Sequence, residues 1–457
     1  MTSQPKNTSR AWSRRSFLAT SAMATAGTAL TACSGSGSSS DKSVKPMSSA
    51  SMAAALKKPT EITFWTWVDL KKQVAMFEAK YPNIKVKIVN AGQSADEYKK
   101  LRTALKAGTG APDVVQIGLD TLSAFVITKD LLDLAPYGAG DLKDDFVDWT
   151  WKQVSTGDKV YAIPQDSGPL GTLYRKDVFD HYGLRVPETW EEFAAQGRKL
   201  HAANSAISMT NLPNNDAPNW LGLAWQAGAR PFSVNGTNVT IGVNSAKMKQ
   251  LAGFWTPLVQ QGIVSADADF NNDWYAGLTK GTYATWVTAG WAPLFLQGAA
   301  AKSAGKWRVA PVPQWSDGAS VSGNWGGSTN AVTAQTQHPE AAAALAMFIN
   351  HDKQSSLSMA TELSLFPPLR STLANPEFIG QKSAFFGGQK VNQLFSQYSG
   401  TVSTDFQWSP FNDYVTSSYN PTVGTALTRR KSLSDALDAW QESLTSYARK
   451  QGFKVTG

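Results

Sequence analysis

The sequence predicts an α/β protein built around parallel sheets, with room for two domains. Short apolar segments rich in β-forming residues alternate with amphipathic segments between Glu61 and Gly118. This alternation is typical of a parallel sheet covered by helices on both faces, and it recurs further along the chain. About 400 residues follow the N-terminal region, which is enough for two domains with substantial cores.

The first elements can be placed from their periodicity. "EITFWTW" (61–67) and "PDVVQIG" (112–118) are short apolar runs typical of buried strands, and "IKVKIV" (84–89) alternates as a half-buried strand does. Between them, "DLKKQVAMFEAKYPN" (69–83) places its apolar residues on one helical face. "SADEYKKLRTALKAG" (94–108) predicts a second helix.

Several helix ends are predicted by their capping residues. Ser94 with Glu97, and Thr189 with Glu192, have the spacing of a capping box. Gly108 predicts the end of the helix that begins after Ser94. Two later helices are predicted by Pro339 at a first helical position and by one apolar stripe in the C-terminal segment, Leu433, Leu437, Trp440, Leu444 and Tyr447.

The N-terminus predicts an export signal. Arg14 and Arg15 precede a mildly apolar stretch, 17–32, which is too short and too polar for a membrane-spanning helix. A basic segment, a short apolar segment and small residues before a break are typical of a signal peptide. The arginine pair followed by Phe17 and Leu18 is typical of a twin-arginine signal.

Cys33 is the only cysteine of the chain, so it cannot form an intramolecular disulfide. Its context "LTAC" resembles a bacterial lipobox, which implies that residues 1–32 are removed and that Cys33 carries a lipid anchor. A free thiol in an ordinary secretory signal is the alternative. Residues 33–58 have many serines and glycines and no apolar period, which predicts a flexible tether.

The charge pattern argues against a nucleic-acid partner. The formal net charge is +8, and four basic residues belong to the predicted signal, so +4 remains on the mature chain. The remaining charges are interspersed, without a basic block or a basic helix. No later segment approaches 20 uninterrupted apolar residues, so we expect no other membrane span.

No motif predicts catalysis, a metal or a cofactor. The chain lacks a G-x-S-x-G elbow, an H-E-x-x-H helix, a Walker loop and a C-x-x-C pair, and it contains only four histidines. We therefore expect a protein that is not an enzyme. A glycosidase that uses two carboxylates needs no motif, so that alternative stays open.

The 17 tryptophans are the unusual feature of the composition. Flat aromatic faces stack on the C–H surfaces of sugars, and the indole N–H supplies a polar edge. Trp190 and Trp440 lie on apolar helix faces and are predicted to be core residues. The tryptophans in predicted loops beside Gly, Pro, Asn or Asp are candidates for a ligand site, namely Trp67, Trp291, Trp325 and Trp408.

The chain resembles the extracellular solute-binding proteins of carbohydrate ABC importers, the group that includes maltose-binding protein. The resemblance runs from Glu61 to the C-terminus and rests on the order of several blocks, namely "ITFWTW", "FEAKYPNIKVKI", "APDVVQIGLD", "LLDLAPY", "YAIPQDSGPLGTLYRKDVFDHYGLRVPETWEEF", "TYATWVTAGWAP", "WRVAPVPQW", "GNWGGSTNAV" and "HPEAAAALAMFIN". It implies a two-lobed, type II binding-protein fold with a hinge and a ligand cleft between the lobes. One lobe would contain 59–164 and 311–353, and the other 165–310 and 354–457.

The resemblance also implies ligand-binding positions in loops at strand ends, where open α/β sheets generally bind ligands. An N-cap role for Asp120, a buried role for Tyr174 and a structural ion pair for Arg370 are the alternatives. "GTYATWVTAGWA" lacks the family's usual Gly-Pro before its tryptophan, and "NWGG" adds an aromatic residue, so the identity of the sugar stays open. The implied positions are Trp67, Asp69, Asp120, Asp166, Tyr174, Trp291, Trp325, Gly326, Arg370 and Trp408.

The residues and the resemblance together predict a lipid-anchored protein that captures a mono- or oligosaccharide, or a related polyol, and delivers it to the permease subunits of an ABC importer. The resemblance also implies a monomer. We expect it at the outer face of the cytoplasmic membrane. The alternatives are a binding protein for another solute, such as a glycerol phosphate, an amino-sugar acid or a polyamine, and a secreted carbohydrate-active enzyme.

Overall fold

The computed structural model describes residues 46–456. The predicted signal, Cys33 and the first part of the predicted tether lie outside these residues. Within the tether stretch, Ser49–Ala55 form helix α1, which Ser48 caps through its hydroxyl, and Leu56 is buried. The alanines of this segment favour a helix.

The strands are mostly short, and several have only two residues. They are β1 (Thr60–Trp65), β2 (Ile84–Val89), β3 (Val114–Gly118), β4 (Ser155–Thr156), β5 (Lys159–Val160), β6 (Ala162–Asp166), β7 (Leu170–Arg175), β8 (Thr210–Asn211), β9 (Phe232–Asn235), β10 (Asn238–Ile241), β11 (Val264–Ser265), β12 (Thr285–Ala289), β13 (Trp307–Pro311), β14 (Ser328–Val332) and β15 (Lys454–Thr456).

The other helices are α2 (Lys71–Lys80), α3 (Ala95–Ala107), α4 (Leu122–Ile127), α5 (Asp148–Val154), α6 (Lys176–His181), α7 (Trp190–Ala203), α8 (Ala217–Gln226), α9 (Ala246–Gln260), α10 (Asn272–Lys280), α11 (Ala292–Ala299), α12 (Pro339–His351), α13 (Lys353–Glu362), α14 (Arg370–Leu373), α15 (Pro376–Ile379), α16 (Val391–Ser399), α17 (Asn412–Tyr419), α18 (Thr425–Thr428) and α19 (Leu433–Lys450). No helix within residues 46–456 has the length and apolar character to cross a membrane.

The first sheet has the order β2–β1–β3–β14–β6. β1 pairs in parallel with β2 and β3, as the alternating sequence pattern predicts, and β14 inserts antiparallel between β3 and β6. All five residues of both β3 and β14 are buried, because helices cover both faces of the sheet. The carboxyl ends of β1, β3 and β6 therefore meet the amino end of β14 along one edge.

The second sheet is antiparallel, unlike the parallel pattern that the alternation of strands and helices predicts. Its order is β12–β7–β13, and both neighbours of β7 run antiparallel to it. The chain passes from the first sheet to the second between Asp166 and Leu170, and it returns between Pro311 and Ser328. The assignment of residues to two lobes with the bounds given above stays a prediction.

The capping box predicted at Ser94 does not form. Ser94 has φ +50° and its side chain makes no capping hydrogen bond. Glu97 is buried because it lies one turn before Leu101 on the inner face of α3, and neither carboxylate oxygen has a hydrogen-bond partner among residues 46–456. Burial raises the pKa of Glu97 to about 8, which the nearby Lys100 partly opposes.

The other predicted ends agree with the structure. Thr189 Oγ1 accepts a hydrogen bond from the Glu192 N–H at 3.2 Å, although the Glu192 carboxylate accepts from Glu188 N–H and not from Thr189. Gly108 ends α3 in the left-handed conformation, and Pro339 begins α12. The C-terminal stripe is buried up to Leu444, and Tyr447 is half-buried against Tyr414. Trp190 and Trp440 are core residues, as predicted.

Candidate functional site

A buried polar network joins neighbouring strands of the first sheet. It lies at the edge where the carboxyl ends of β1, β3 and β6 meet the amino end of β14. Gln116 Oε1 on β3 accepts hydrogen bonds from Thr66 Oγ1 at 2.7 Å and from the Trp67 N–H at 3.2 Å, both just after β1. Gln116 Nε2 donates to Ser328 Oγ at 2.9 Å, and Ser328 Oγ donates to Asp166 Oδ1 at the end of β6. The network fixes Trp67 and Asp166 on the same rim.

This placement disfavours the ionised form of the Asp166 carboxyl group. Burial raises its pKa to about 6, and the hydrogen bonds from the Ser328 hydroxyl and backbone oppose the shift. The ionised form of this carboxyl group is stabilised by any further hydrogen-bond donor that reaches its oxygens. Hydroxyl groups of a ligand are such donors.

Asp120 follows β3 and lies next to the C-terminal part of the chain. Its Oδ2 accepts a hydrogen bond from Asn412 Nδ2 at 3.0 Å, and Thr121 Oγ1 donates to Oδ1 at 3.3 Å. Helix α4 begins without a side-chain cap, so the alternative N-cap role of Asp120 does not occur. Burial raises the pKa of Asp120 to about 6, and the charge of Asp413 raises it further.

Gly118 makes room for the Asp120 carboxylate. A Cβ at this position would lie 2.6 Å from Asp120 Oδ1 and 3.1 Å from Tyr98 Oη. The Gly118 N–H donates to Tyr98 Oη at 2.8 Å, and the Tyr98 ring packs edge-on against Trp67 with centroids 6.4 Å apart. Trp67, Tyr98 and Asp120 therefore form one corner of the candidate site.

Five aromatic rings form the opposite corner, which we call the aromatic cluster. Trp291 is partly exposed, and its Nε1 donates to the Trp325 carbonyl at 2.7 Å. The Trp291 centroid lies 4.9 Å from that of Trp325 and 6.2 Å from that of Phe270. Phe270 is 39% exposed and adopts φ +54°, a strained conformation that persists mainly at functional sites. The cluster comprises Phe270, Trp274, Trp286, Trp291 and Trp325.

Trp325 itself is only 4% exposed, so its carbonyl, which orients the Trp291 ring, is its contribution to the site. The next residue, Gly326, has φ +81°, and a Cβ there would lie 3.0 Å from Trp291 Nε1. Gly327 follows with φ +96°, and a Cβ there would lie 2.9 Å from the Asp166 carbonyl oxygen. The two glycines thus let a single segment connect the aromatic cluster with the strand ends.

A second pair of aspartates lies between the two corners. Asp216 Oδ1 caps α8 by accepting from the Asn219 N–H at 2.8 Å. The Asn215 side chain hydrogen-bonds to both backbone groups of Asp269. Its Oδ1 accepts from the Asp269 N–H at 3.0 Å, and its Nδ2 donates to the Asp269 carbonyl. Asp269 is 4% exposed, and its carboxylate oxygens have no hydrogen-bond partner within residues 46–456.

The electrostatic coupling of these acids connects the corners. Burial raises the pKa of Asp216 and the charge of Asp120 raises it further. Burial likewise raises the pKa of Asp269, with a contribution from the charge of Asp216. No Lys or Arg of the described residues counters these shifts. No three acidic, His or Cys side chains there are placed to hold one metal ion. Asp120, Asp216 and Asp269 thus influence one another in sequence, and we call these three residues the aspartate row; Asp269 directly precedes Phe270 in the chain.

Three of the predicted positions lie elsewhere. Asp69 is 66% exposed and pairs with Lys71 at 3.3 Å. Tyr174 lies at the far end of β7 from the crossover and packs against Phe179 with centroids 5.0 Å apart. Arg370 donates to Asp148 Oδ1 at 2.8 Å, which is the structural ion pair considered as its alternative role. Asp69 and Tyr174 thus pair with residues near them in the chain, whereas Arg370 pairs with a residue of α5.

Trp408 is buried against Trp225 and Phe406, with ring centroids 6.1 and 5.1 Å away. Its Nε1 has no hydrogen-bond partner within residues 46–456. It precedes Ser409, whose carbonyl accepts from Ser123 Oγ at 3.0 Å. Trp408 thus supports the loop that brings Asn412 to Asp120.

Sequence reasoning missed several residues of the site. A polar residue inside a buried strand pattern was the available signal for Gln116. No local pattern marks the others, because they reach the site from segments far apart in sequence, namely Tyr98, Asp216, Asp269, Phe270, Ser328 and Asn412.

Comparison with known proteins agrees with this architecture. Residues 58–354 match the model of the family described as bacterial extracellular solute-binding protein. The arabinooligosaccharide-binding protein of Halalkalibacterium halodurans is 24% identical over 383 residues, which cover 78% of this chain and 85% of the relative.

Two solved structures are similar over most of the chain. The ABC transporter associated binding protein from B. animalis subsp. lactis, in complex with β-1,6-galactobiose, is 31% identical with a TM-score of 0.74, covering 87% of this chain and 99% of that one. The galacto-N-biose-/lacto-N-biose I-binding protein from Bifidobacterium longum, in complex with lacto-N-biose, is 25% identical with a TM-score of 0.75, covering 87% and 98%. The fold is thus the two-lobed fold of binding proteins, as the sequence predicts.

Proposed function

This chain belongs to the bacterial extracellular solute-binding proteins, and we propose that it is the sugar-binding component of an ABC importer. The observation that carries the proposal is the pairing of the aspartate row with the aromatic cluster around one site. Carboxylates accept hydrogen bonds from neighbouring hydroxyls, and aromatic faces cover the C–H surfaces between them. The sugars named for the similar proteins support this assignment.

In this proposal Asp120 and Asp166 accept hydroxyl hydrogen bonds at the strand ends, and Trp291 supplies the stacking face. Trp67 and the Gly326 backbone complete the contacts. The Trp291 ring is oriented before the ligand arrives, because the Trp325 carbonyl holds its Nε1. Such preorganisation lowers the entropic cost of binding.

The lobes, with the bounds given above, close about the chain crossovers between them, which the family resemblance implies near Ile163–Pro164, near Ala310–Pro311 and after His351. Closure excludes water from the site, which strengthens each hydrogen bond, and the closed form is delivered to the permease subunits. In this proposal the residues of the site bind the sugar and carry out no chemical step, so the protein captures its ligand without catalysis.

A titration tests the binding proposal. Intrinsic tryptophan fluorescence and melting temperature are measured with β-1,6-galactobiose, lacto-N-biose and arabinooligosaccharides. We expect a saturable spectral change and a higher melting temperature with at least one of them. Recovery of that sugar unchanged after long incubation is expected for a binding protein, and its cleavage would show an enzyme.

A polyamine is the second candidate ligand. The aspartate row lies without a basic partner among the described residues, and a cationic solute would stabilise its ionised form. A response to spermidine together with silence across the sugars would assign this function. The same row disfavours a glycerol phosphate, because like charges repel.

We further propose that the protein is a lipoprotein anchored through Cys33 after a twin-arginine signal, as the "LTAC" context indicates. Cys33→Ser is expected to move the protein from the membrane fraction to the soluble fraction. Retention of the variant in the membrane fraction would refute the anchor.

A further inference from the structure

A cavity of about 260 Å³ opens beside Trp291, outside the aspartate row. Its walls come from the start of α11, from the loop after α13 and from the segment between α15 and α16. Ligand sites usually measure about 300–1,000 Å³, so this cavity is small for a complete ligand and suited to a part of one. Its wall includes Trp291, Leu294, Phe366, Phe378, Gln381 and Asn392.

The cavity is amphipathic in the way that a sugar ring requires. Leu294, Phe366 and Phe378 supply apolar surface for C–H groups. Asn392 Nδ2 donates to Gln381 Oε1 at 3.3 Å and to the Phe378 carbonyl at 3.2 Å. Because these bonds occupy one atom of each amide, Asn392 Oδ1 and Gln381 Nε2 still offer an acceptor and a donor to a ligand.

The cavity shares the Trp291 wall with the proposed sugar site. Both contain Trp291, whose ring is held by the Trp325 carbonyl. The Phe366 carbonyl accepts a hydrogen bond from the Ser167 N–H at 2.9 Å, next to Asp166. Ser364 on the cavity wall has φ +55°, a conformation that costs energy in a residue other than glycine and that clusters at ligand sites.

We propose that this cavity is an additional subsite that takes one further ring of an oligosaccharide whose other rings occupy the main site. The proposal rests on the sugar-binding function proposed above and adds the class of ligand. The preferred sugar extends past Trp291 and is one ring longer than the main site holds by itself.

The test compares dissociation constants for short and long sugars by calorimetry. The probes are β-1,6-galactobiose with β-1,6-galactotriose, and arabinobiose with arabinotriose. We expect the unmodified protein to bind the longer member of a series about tenfold more tightly, as one well-packed ring contact would produce.

Leu294→Trp fills the cavity from an exposed position, since Leu294 is 46% exposed. The variant is expected to lose the tenfold preference while its affinity for the short sugar and its melting temperature stay unchanged. Gln381→Ala removes one amide and is expected to lower only the long-sugar affinity, by about threefold. Val321→Trp, at an exposed position on a separate cavity of about 470 Å³, is the matched control and is expected to keep the preference.

Three results would overturn the subsite. They are equal binding of short and long sugars, equal loss of both in Leu294→Trp, and loss of the preference in Val321→Trp. Binding of the short sugars without a length preference removes the subsite alone, whereas failure of every sugar to bind the unmodified protein removes the proposed function with it.

Discussion

Asp166→Asn is expected to stabilise the free protein while it weakens sugar binding. The asparagine keeps an oxygen that can accept from Ser328 Oγ, so the buried network survives. It removes a carboxyl group whose pKa burial has raised from 3.8 to about 6. The variant therefore separates the charge of Asp166 from its hydrogen bond.

The magnitude follows from the two pKa values. Between about pH 4 and pH 6 the folded protein retains the proton and the unfolded chain releases it, so stability falls as the pH rises, by about 1.4 kcal/mol per pH unit. The loss is complete above about pH 6 and amounts to about 3 kcal/mol for Asp166. We expect equal stability of the two proteins near pH 4 and an advantage of up to about 3 kcal/mol for the variant at pH 7.5.

Urea denaturation between pH 4 and pH 8 measures this difference, and calorimetry with sugar at pH 7.5 measures the functional cost. Loss of a charged acceptor is expected to weaken binding by about 1.5–3 kcal/mol. Asp69→Asn, which removes a carboxylate that is 66% exposed, is the matched control and is expected to change stability by less than about 0.5 kcal/mol. A variant with the same pH profile as the parent, or one destabilised at pH 7.5, would refute the reasoning.

The remaining predictions concern the two corners of the site. Trp291→Ala is expected to weaken sugar binding by about 1–3 kcal/mol in calorimetry with an unchanged melting temperature, and an unchanged affinity would remove this ring from the site. Gly118→Ala would place a Cβ 2.6 Å from Asp120 Oδ1, so we expect sugar binding about tenfold weaker; normal binding would show that the carboxylate can move without loss. Ser328→Ala leaves the Gln116 amide without its acceptor and is expected to lower the free energy of unfolding by about 1–3 kcal/mol in urea, a loss whose absence would argue against the network.

The carboxyl groups of the proposed site destabilise the free protein and are proposed to bind the ligand, and the Asp166 variant tests both effects. Four carboxyl groups, the part-buried Asp120, Asp166 and Asp216 and the buried Asp269, are held with raised pKa values and few donors. A hydroxyl-rich ligand would satisfy these oxygens and so bind a protein that is destabilised without it. Stability and affinity are therefore expected to change in opposite directions at these positions.

The sequence was informative where a local pattern carried the signal. The apolar run of β3 and the glycine that ends α3 predicted those elements, because burial of one strand and the left-handed conformation of one residue depend on few neighbours. The capping box at Ser94 failed because the inner face of α3 takes up Glu97, a packing effect that local spacing does not show. The antiparallel second sheet was missed for the same reason, since strand direction depends on the connections.

The sequence by itself determined the alternating α/β layout and, through the family resemblance, the type of fold, and it predicted candidate site residues, namely acids at strand ends and a tryptophan in a loop. Tertiary structure alone decided which of those side chains meet. Asp166 and Ser328 stand 162 positions apart in the chain. Asp120 and Asn412 stand 292 positions apart. Their contacts arise because crossovers return the chain to the same sheet edge. Asp69 and Tyr174 carry suitable groups but face partners in their own segments, and Arg370 faces Asp148 on α5, because the direction of a side chain is set by the packing around it.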